Sequence, residues 1–339
     1  MFLIFNFDGT GNEPQDALQE ANKRGKKEDD NISNILKLHL MAGGNLHKTE
    51  DRYGESTNAA IKHIFYYQGI GTYGTWWSKA LNAGVSPEKG DVASILRKAF
   101  KDFNRVYQPG DIVLVTGFSR GAALARRFVG QLSIKSDKVD EKTKPFVYLL
   151  VFDTVASIGL PNLNSRERPD YDVVFENGFT LCPYIEQAAH LLSLDDKRKA
   201  FQPTLMNYDK DRIIELWFAG AHSDVGGGYY RDGLSDVSLT FAINWLAYQS
   251  RTHQLPEFSL ETPNQEQLNH ACPNKLKGAI GIDDISRNPN PLGKNRNQPR
   301  YETSILNLIF WPLLLKSETN PTILHLNILW DLQENPNAH

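Results

Sequence analysis

One pentapeptide constrains this chain more than any other feature. Gly117-Phe118-Ser119-Arg120-Gly121 joins the apolar run Ile112–Thr116 directly to an alanine-rich helical stretch that starts at Ala122. A G-x-S-x-G segment between a strand and a helix makes a tight elbow that displays the serine Oγ at the strand's end. The flanking glycines keep neighbouring backbone from colliding. The helix N-terminus and the Arg120 N–H then favour negative charge developing beside the serine. Away from such surroundings the same five residues are a glycine-padded turn with a capping serine. The buried strand in front of them argues for a displayed nucleophile.

The rest of the chain supplies the matching architecture. Phe2–Phe7, Phe146–Phe152 and Ile213–Ala219 are further apolar runs bounded by turn or charged residues. Near-continuous runs of this kind suit strands buried on both faces. Val92, Ile95, Leu96, Ala99, Phe100, Phe103 and Val106 recur at helical spacing, and a second helical pattern covers Leu234 to Tyr248. Strands alternating with helices predict an α/β fold, a mostly parallel sheet flanked by helices. The stretches Glu20 to Asp30 and Ser286 to Arg300 read as surface loops. The region from about 159 to 210 has a helical pattern starting near Pro183 and reads as a cap-like insertion. The predicted organisation is a catalytic domain over 1–250 and a C-terminal extension over 251–339.

A nucleophilic serine needs a base and an acid, in the chain order Ser, Asp/Glu, His for this topology. Asp153 ends the run Phe146–Phe152, and His222 follows Ile213–Ala219 within Gly220-Ala221-His222-Ser223-Asp224-Val225-Gly226-Gly227-Gly228. Both fall at strand carboxyl ends, the edge on which Ser119 is displayed. Asp224 is the reserve acid and His190 the reserve base, the latter in an apparent helical pattern with Ala189 and Leu192. The turn Asp8-Gly9-Thr10-Gly11-Asn12 after the first run offers free amides, so Gly9 and Thr10 are candidates beside Arg120 for an oxyanion hole. Asp8 is placed to orient that loop. A D-x-D-G-T segment would instead mark a haloacid-dehalogenase-like phosphatase, but its nucleophilic position is Asn6 here. The Gly-Phe-Ser-Arg-Gly segment also lacks the Lys-Ser/Thr ending of a phosphate loop.

Composition excludes several classes. With 37 Lys and Arg against 40 Asp and Glu the net charge is −3, which argues against a broad phosphate-binding face and against nucleic acid as a partner. Cys182 and Cys272 have no metal-ligand spacing, so no zinc site is expected, and a single bridge between them stays open. Nothing in the pattern calls for a metal or organic cofactor. The most apolar run, Ile305 to Leu315, is broken by Asn307 and Pro312 and is far short of the roughly 20 residues a spanning helix needs. The N-terminus lacks a basic stretch and a small-residue cleavage site, and reads as a first strand rather than a signal peptide.

Several blocks carry a family resemblance. Phe7-Asp8-Gly9-Thr10-Gly11-Asn12, Tyr67-Gln68-Gly69-Ile70-Gly71-Thr72, Gly117-Phe118-Ser119-Arg120-Gly121, Phe152-Asp153-Thr154-Val155-Ala156-Ser157, His190-Leu191-Leu192-Ser193-Leu194-Asp195-Asp196 and Trp217 to Tyr229 occur in order. They resemble the catalytic domain of the first family of type VI secretion phospholipase effectors, over residues 2 to 250. The resemblance implies an α/β-hydrolase whose Ser119, Asp153 and His222 cleave acyl esters of glycerophospholipids. It further implies delivery into rival bacteria; with the composition of a soluble chain and no signal peptide read at the N-terminus, the expected location is the producer's cytoplasm before secretion into target cells. A secretion-apparatus partner and a cognate immunity protein follow from the same resemblance. Phe65, Tyr66, Tyr67, Trp76 and Trp77 fit either an acyl groove with peripheral membrane contact or a buried aromatic cluster. A hydrolase of small soluble esters and a catalytically inert module on the same fold are the competing expectations.

Overall fold

Alternation along the apolar runs sets the architecture. Every residue of β1 (Phe2–Phe7) is buried, yet successive side chains serve different cores. Leu3, Phe5 and Phe7 join one apolar cluster, and Phe2 and Ile4 join the other. β6 (Ile112–Phe118) divides Val113 and Val115 from Ile112, Leu114 and Phe118 in the same way. Adjacent strand residues point to opposite faces, so such a run belongs to a sheet covered on both sides.

The computed structural model describes residues 1–18, 30–49, 52–56, 61–70, 89–155, 182–196, 203–206, 209–230, 233–256 and 260–293. Within these ranges β2 (Asp30–Ser33) pairs antiparallel with β10 (Gly227–Tyr229) as a small separate sheet. The main sheet has eight strands in the order β3-β4-β5-β1-β6-β7-β8-β9. Here β3 is Lys48–Thr49, β4 Arg52–Ser56, β5 Ile61–Tyr67, β7 Phe146–Phe152, β8 Ile185–Ser193 and β9 Ile213–Phe218. The six strands from β5 to β9 run parallel, and β3 and β4 are antiparallel additions at one edge. This is the expected α/β-hydrolase-like sheet, and its parallel strands deliver their carboxyl ends to one edge.

Helices α2 (Lys89–Val106) and α3 (Ser119–Gly130) cover one face. Phe128 of α3 is the hub there, fully buried, with ring centroids 5.0 Å from Phe5 and 5.1 Å from Phe100. The short α4 (Leu132–Lys135) follows. Helices α1 (Asn34–Met41) and α6 (Leu234–Thr252) cover the other face. Residues beyond 250 extend that same core through Leu268 of α7 (Gln265–Ala271), Cys272, Leu276, Ile280 and Ile285 of α8 (Ile282–Ile285). Asn34, the first residue of α1, donates from Nδ2 to the carbonyls of Val225 and Ser235 at 3.0 and 2.9 Å. That clamp anchors α5 (His222–Gly226).

The segment from 185 to 193 is not a helical cap but β8, an interior strand between β7 and β9. Its Ile185, Ala188, Ala189, Leu191 and Leu192 are buried on both faces, and so short an apolar run does not distinguish helix from strand by periodicity. The remainder of the expected insertion falls largely outside the described residues, as do residues 20–29 and 294–300 of the expected loops, Trp76, Trp77 and Ile305–Leu315. Cys182 and Cys272 are both free thiols, and they lie in clusters on opposite faces of the sheet. Phe65, Tyr66 and Tyr67 are core residues of β5 rather than a groove lining.

Candidate active site

The elbow is strained, and its neighbours explain how it is held. Ser119 is a non-glycine residue at φ 57°, a conformation that costs on the order of 1–3 kcal/mol and persists only where surroundings impose it. A Cβ on Gly117 would press on the backbone of Ala122, and one on Gly121 would strike the carbonyl oxygens of Phe7 and Asp8. The two glycines therefore let the turn close and seat it against the end of β1. Ser119 opens α3 and is almost fully buried. Arg120 is buried as well, and desolvation lowers its guanidinium pKa to about 10.

The acid and the histidine meet beside this elbow. Asp153 follows β7 at φ 39°, with its N–H donated to Leu191 O at 2.7 Å. The N–H of Val155 donates to Ser119 O at 3.1 Å, which ties the acid's loop to the elbow. Asp153 Oδ2 lies 2.7 Å from His222 Nδ1 and accepts Ser193 Oγ–H at 2.7 Å, while Oδ1 accepts the Ser193 N–H at 3.0 Å. His222 opens α5, its ring centroid 4.6 Å from that of Phe118, the residue before Ser119. Its N–H donates to Asp196 Oδ2 at 3.2 Å, and the N–H of Gly220 donates to Asp195 Oδ2 at 2.7 Å. Among the described residues Ser119 Oγ makes no hydrogen bond.

Asp224 is committed elsewhere: Oδ2 accepts the Ala221 N–H at 2.9 Å and caps the turn that carries His222. His190 is buried within β8, away from the position of a base, with Nε2 accepting the Thr154 N–H at 3.1 Å. No three His, Cys, Asp or Glu side chains among the described residues converge to hold a metal ion.

On the other side of the elbow Asp8 organises the loop after β1. Its buried carboxylate accepts from Gly9 N–H and Ser33 Oγ at 2.7 Å, Tyr66 OH at 2.5 Å and Asn12 Nδ2 at 3.4 Å. Burial raises its pKa, and the four donors work against that shift. One consequence is that the Gly9 amide is taken. Thr10 differs, since its N–H makes no hydrogen bond among the described residues and its buried Oγ1 has no partner there. Of the two amides expected from sequence, only Thr10 is uncommitted.

The model of the family described as T6SS, phospholipase effector Tle1-like, catalytic domain, matches residues 2–135 and 133–247. The chain belongs to this family. Among solved structures, this chain is similar to an uncharacterized protein from Pseudomonas aeruginosa at 19% identity, over 76% of this chain and 47% of that one, with a TM-score of 0.40. It is similar to the Tle1 effector bound to the VgrG spike of the type 6 secretion system at 22% identity, over 68% and 51%, with a TM-score of 0.38. A structure of the metagenome-derived lipolytic enzymes LipS and LipT matches at 12% identity, over 73% and 93%, with a TM-score of 0.37. This chain spans about half the length of the first two. No curated protein matches it.

Sequence reasoning missed the residues that hold the candidate site together. Ser193, Asp195 and Asp196 stand within or just after β8 and bind the acid, the histidine or the glycine turn between them. The signal was present in Leu192-Ser193-Leu194-Asp195-Asp196, polar residues at the end of an apolar run, but reading that run as a helix removed it from the sheet edge.

Proposed function

We propose that this chain is a serine esterase of phospholipase A type that hydrolyses acyl esters of glycerophospholipids, and that it acts as an antibacterial effector of a type VI secretion system. The observation that carries the catalytic reading is the 2.7 Å Asp153–His222 contact beside a serine held at φ 57° on a strand-to-helix elbow. The substrate class and the delivery route are supported by membership of the family. A secretion-apparatus component and an immunity protein are the partners this reading entails.

The chemistry follows from the roles these groups can take. His222 Nε2 removes the Ser119 Oγ proton as the oxygen attacks the acyl carbonyl, and Asp153 holds the imidazole tautomer and stabilises the imidazolium. The oxyanion of the tetrahedral intermediate is held by the N–H groups of Arg120 and Thr10, each typically worth about 3 kcal/mol. Collapse breaks the acyl C–O bond, and the lysophospholipid leaves with the proton from His222. Water, deprotonated by His222, then attacks the acyl-Ser119 ester; the acyl C–Oγ bond breaks, His222 returns the proton to Ser119 Oγ, and the fatty acid leaves. Arg120 serves through its backbone N–H.

The test is lipid mass spectrometry of phosphatidylethanolamine/phosphatidylglycerol vesicles incubated with wild type and with Ser119→Ala. Free fatty acid and lysophospholipid from the wild type alone support the reading and report the position cut. Rapid turnover of short soluble esters with intact vesicle lipid would replace the phospholipase assignment by a small-ester hydrolase. Failure of a fluorophosphonate probe to label wild type would leave an inert module.

A further inference from the structure

A second buried histidine–carboxylate pair, unused by the chemistry above, lies behind Asp153. His190 of β8 and Glu215 of β9 are register partners, and His190 Nδ1 lies 3.1 Å from Glu215 Oε1. Nε2 of the same ring accepts the Thr154 N–H at 3.1 Å. A backbone N–H can only donate, so Nε2 carries the lone pair and the ring proton sits on Nδ1, donated to Glu215. Thr154 immediately follows Asp153, whose φ of 39° is costly for a residue with a Cβ.

The far side of Thr154 is held as well. Its carbonyl accepts the Thr204 N–H at 2.8 Å, and the Met206 N–H returns to Glu215 Oε1 at 2.8 Å. Arg126 of α3, itself buried, donates to the carbonyls of Thr204 and Leu205 at 2.7 and 3.2 Å. Hydrogen bonds therefore close a ring from His190 through Thr154, residues 204–206 and Glu215, pinned to the helix that Ser119 opens. A packing role alone requires neither a specific tautomer nor an acceptor aimed at the residue after the acid.

We propose that His190, with its tautomer set by Glu215, is a positioning residue for Asp153: by holding the Thr154 amide it keeps the left-handed turn that aims Oδ2 at His222 Nδ1. The proposal rests on the reading of Asp153 and His222 as the acid and base of the esterase. It is tested on the full chain with His190→Phe, His190→Gln and Glu215→Gln. Phenylalanine keeps the ring volume without an acceptor. Glutamine supplies Oε1 to Thr154 and Nε2 to Glu215. Glu215→Gln keeps the shape and one accepting oxygen but removes the negative charge that favours the Nδ1–H tautomer.

Two readouts are taken on folded protein: kcat and KM on p-nitrophenyl butyrate, and the far-downfield proton resonance of His222 Nδ1–H, assigned by its loss in Asp153→Asn. His190→Phe is expected to lower kcat by about a hundredfold with KM changed by no more than about twofold, and to shift or abolish the resonance. His190→Gln should return both to near wild type, and Glu215→Gln should fall between. Wild-type kcat and resonance in His190→Phe would overturn the proposal, as would a His190→Gln variant as impaired as His190→Phe. Absence of the resonance from wild type would overturn it too. If His190→Phe does not fold, Glu215→Gln decides: unchanged kcat and resonance overturn the proposal. A wild type that neither hydrolyses ester nor labels, but whose resonance responds to His190→Phe and not to His190→Gln, keeps the positioning role and removes the esterase reading.

Discussion

Two buried histidine–carboxylate pairs meet the turn at Asp153 and Thr154, and they differ in what the second ring nitrogen does. In both, Nδ1 lies on a buried carboxylate, at 2.7 Å for His222–Asp153 and 3.1 Å for His190–Glu215. His190 spends Nε2 on the Thr154 amide within a closed ring of hydrogen bonds. His222 instead opens a short helix, with its ring against Phe118 next to the elbow serine. The same pair of residue types thus makes a strut in an interior strand and a candidate base at a loop. Position on the element, rather than residue identity, separates them.

The largest test of that contrast is at the reacting groups. Ser119→Ala should abolish fluorophosphonate labelling and fatty-acid release, and Asp153→Asn should lower kcat by about 10³–10⁴-fold by admitting the wrong His222 tautomer. Both are read by steady-state kinetics on a soluble ester, and a smaller loss in Asp153→Asn than in His190→Phe would reverse the roles assigned to the two pairs. Phe128→Ala separates stability from chemistry: emptying the aromatic hub should cost about 3–5 kcal/mol by urea denaturation and leave kcat of the folded fraction near wild type.

A third buried histidine gives a pH test. His39 accepts from Asn6 Nδ2 at 3.3 Å and reaches Asn45 O at 3.0 Å, and burial lowers its pKa from 6.5 to about 4. Below pH 6.5 the unfolded chain binds a proton that the native chain refuses until about pH 4. Stability should therefore fall as pH drops across that window, by up to about 3 kcal/mol from this group, and level off below it. Urea midpoints against pH should show a shallower acid decline in His39→Gln. The smallest effect expected is in Ser193→Ala, where Asp153 loses one donor and keeps the Ser193 amide: kcat should drop by about tenfold with unchanged KM.

Legibility in the sequence followed the range of the interaction. The strands β1, β6, β7 and β9 and the helices after β6 and β10 were readable because burial on two faces, or on one helical stripe, writes a local pattern. β8 was not, because its Ala189 and Leu192 satisfy a helical spacing equally well, and only pairing between β7 and β9 resolves it. Losing β8 also hid Ser193, Asp195, Asp196 and the true setting of His190. Gly9 and Thr10 are adjacent and equally exposed to suspicion in the sequence. The distinction between them comes from Asp8, which takes one amide and not the other.

By itself the sequence determined the elbow at Ser119 and the strand ends at which an acid and a histidine follow it, since each of these is written in residues close along the chain. Tertiary structure decided which carboxylate meets His222, that Asp224 caps a turn instead, and that Cys182 and Cys272 stay apart on opposite faces. Those outcomes rest on contacts between residues tens of positions apart, such as the 69-residue separation of Asp153 and His222. A carboxylate's neighbours there depend on strand order, and no local pattern records it.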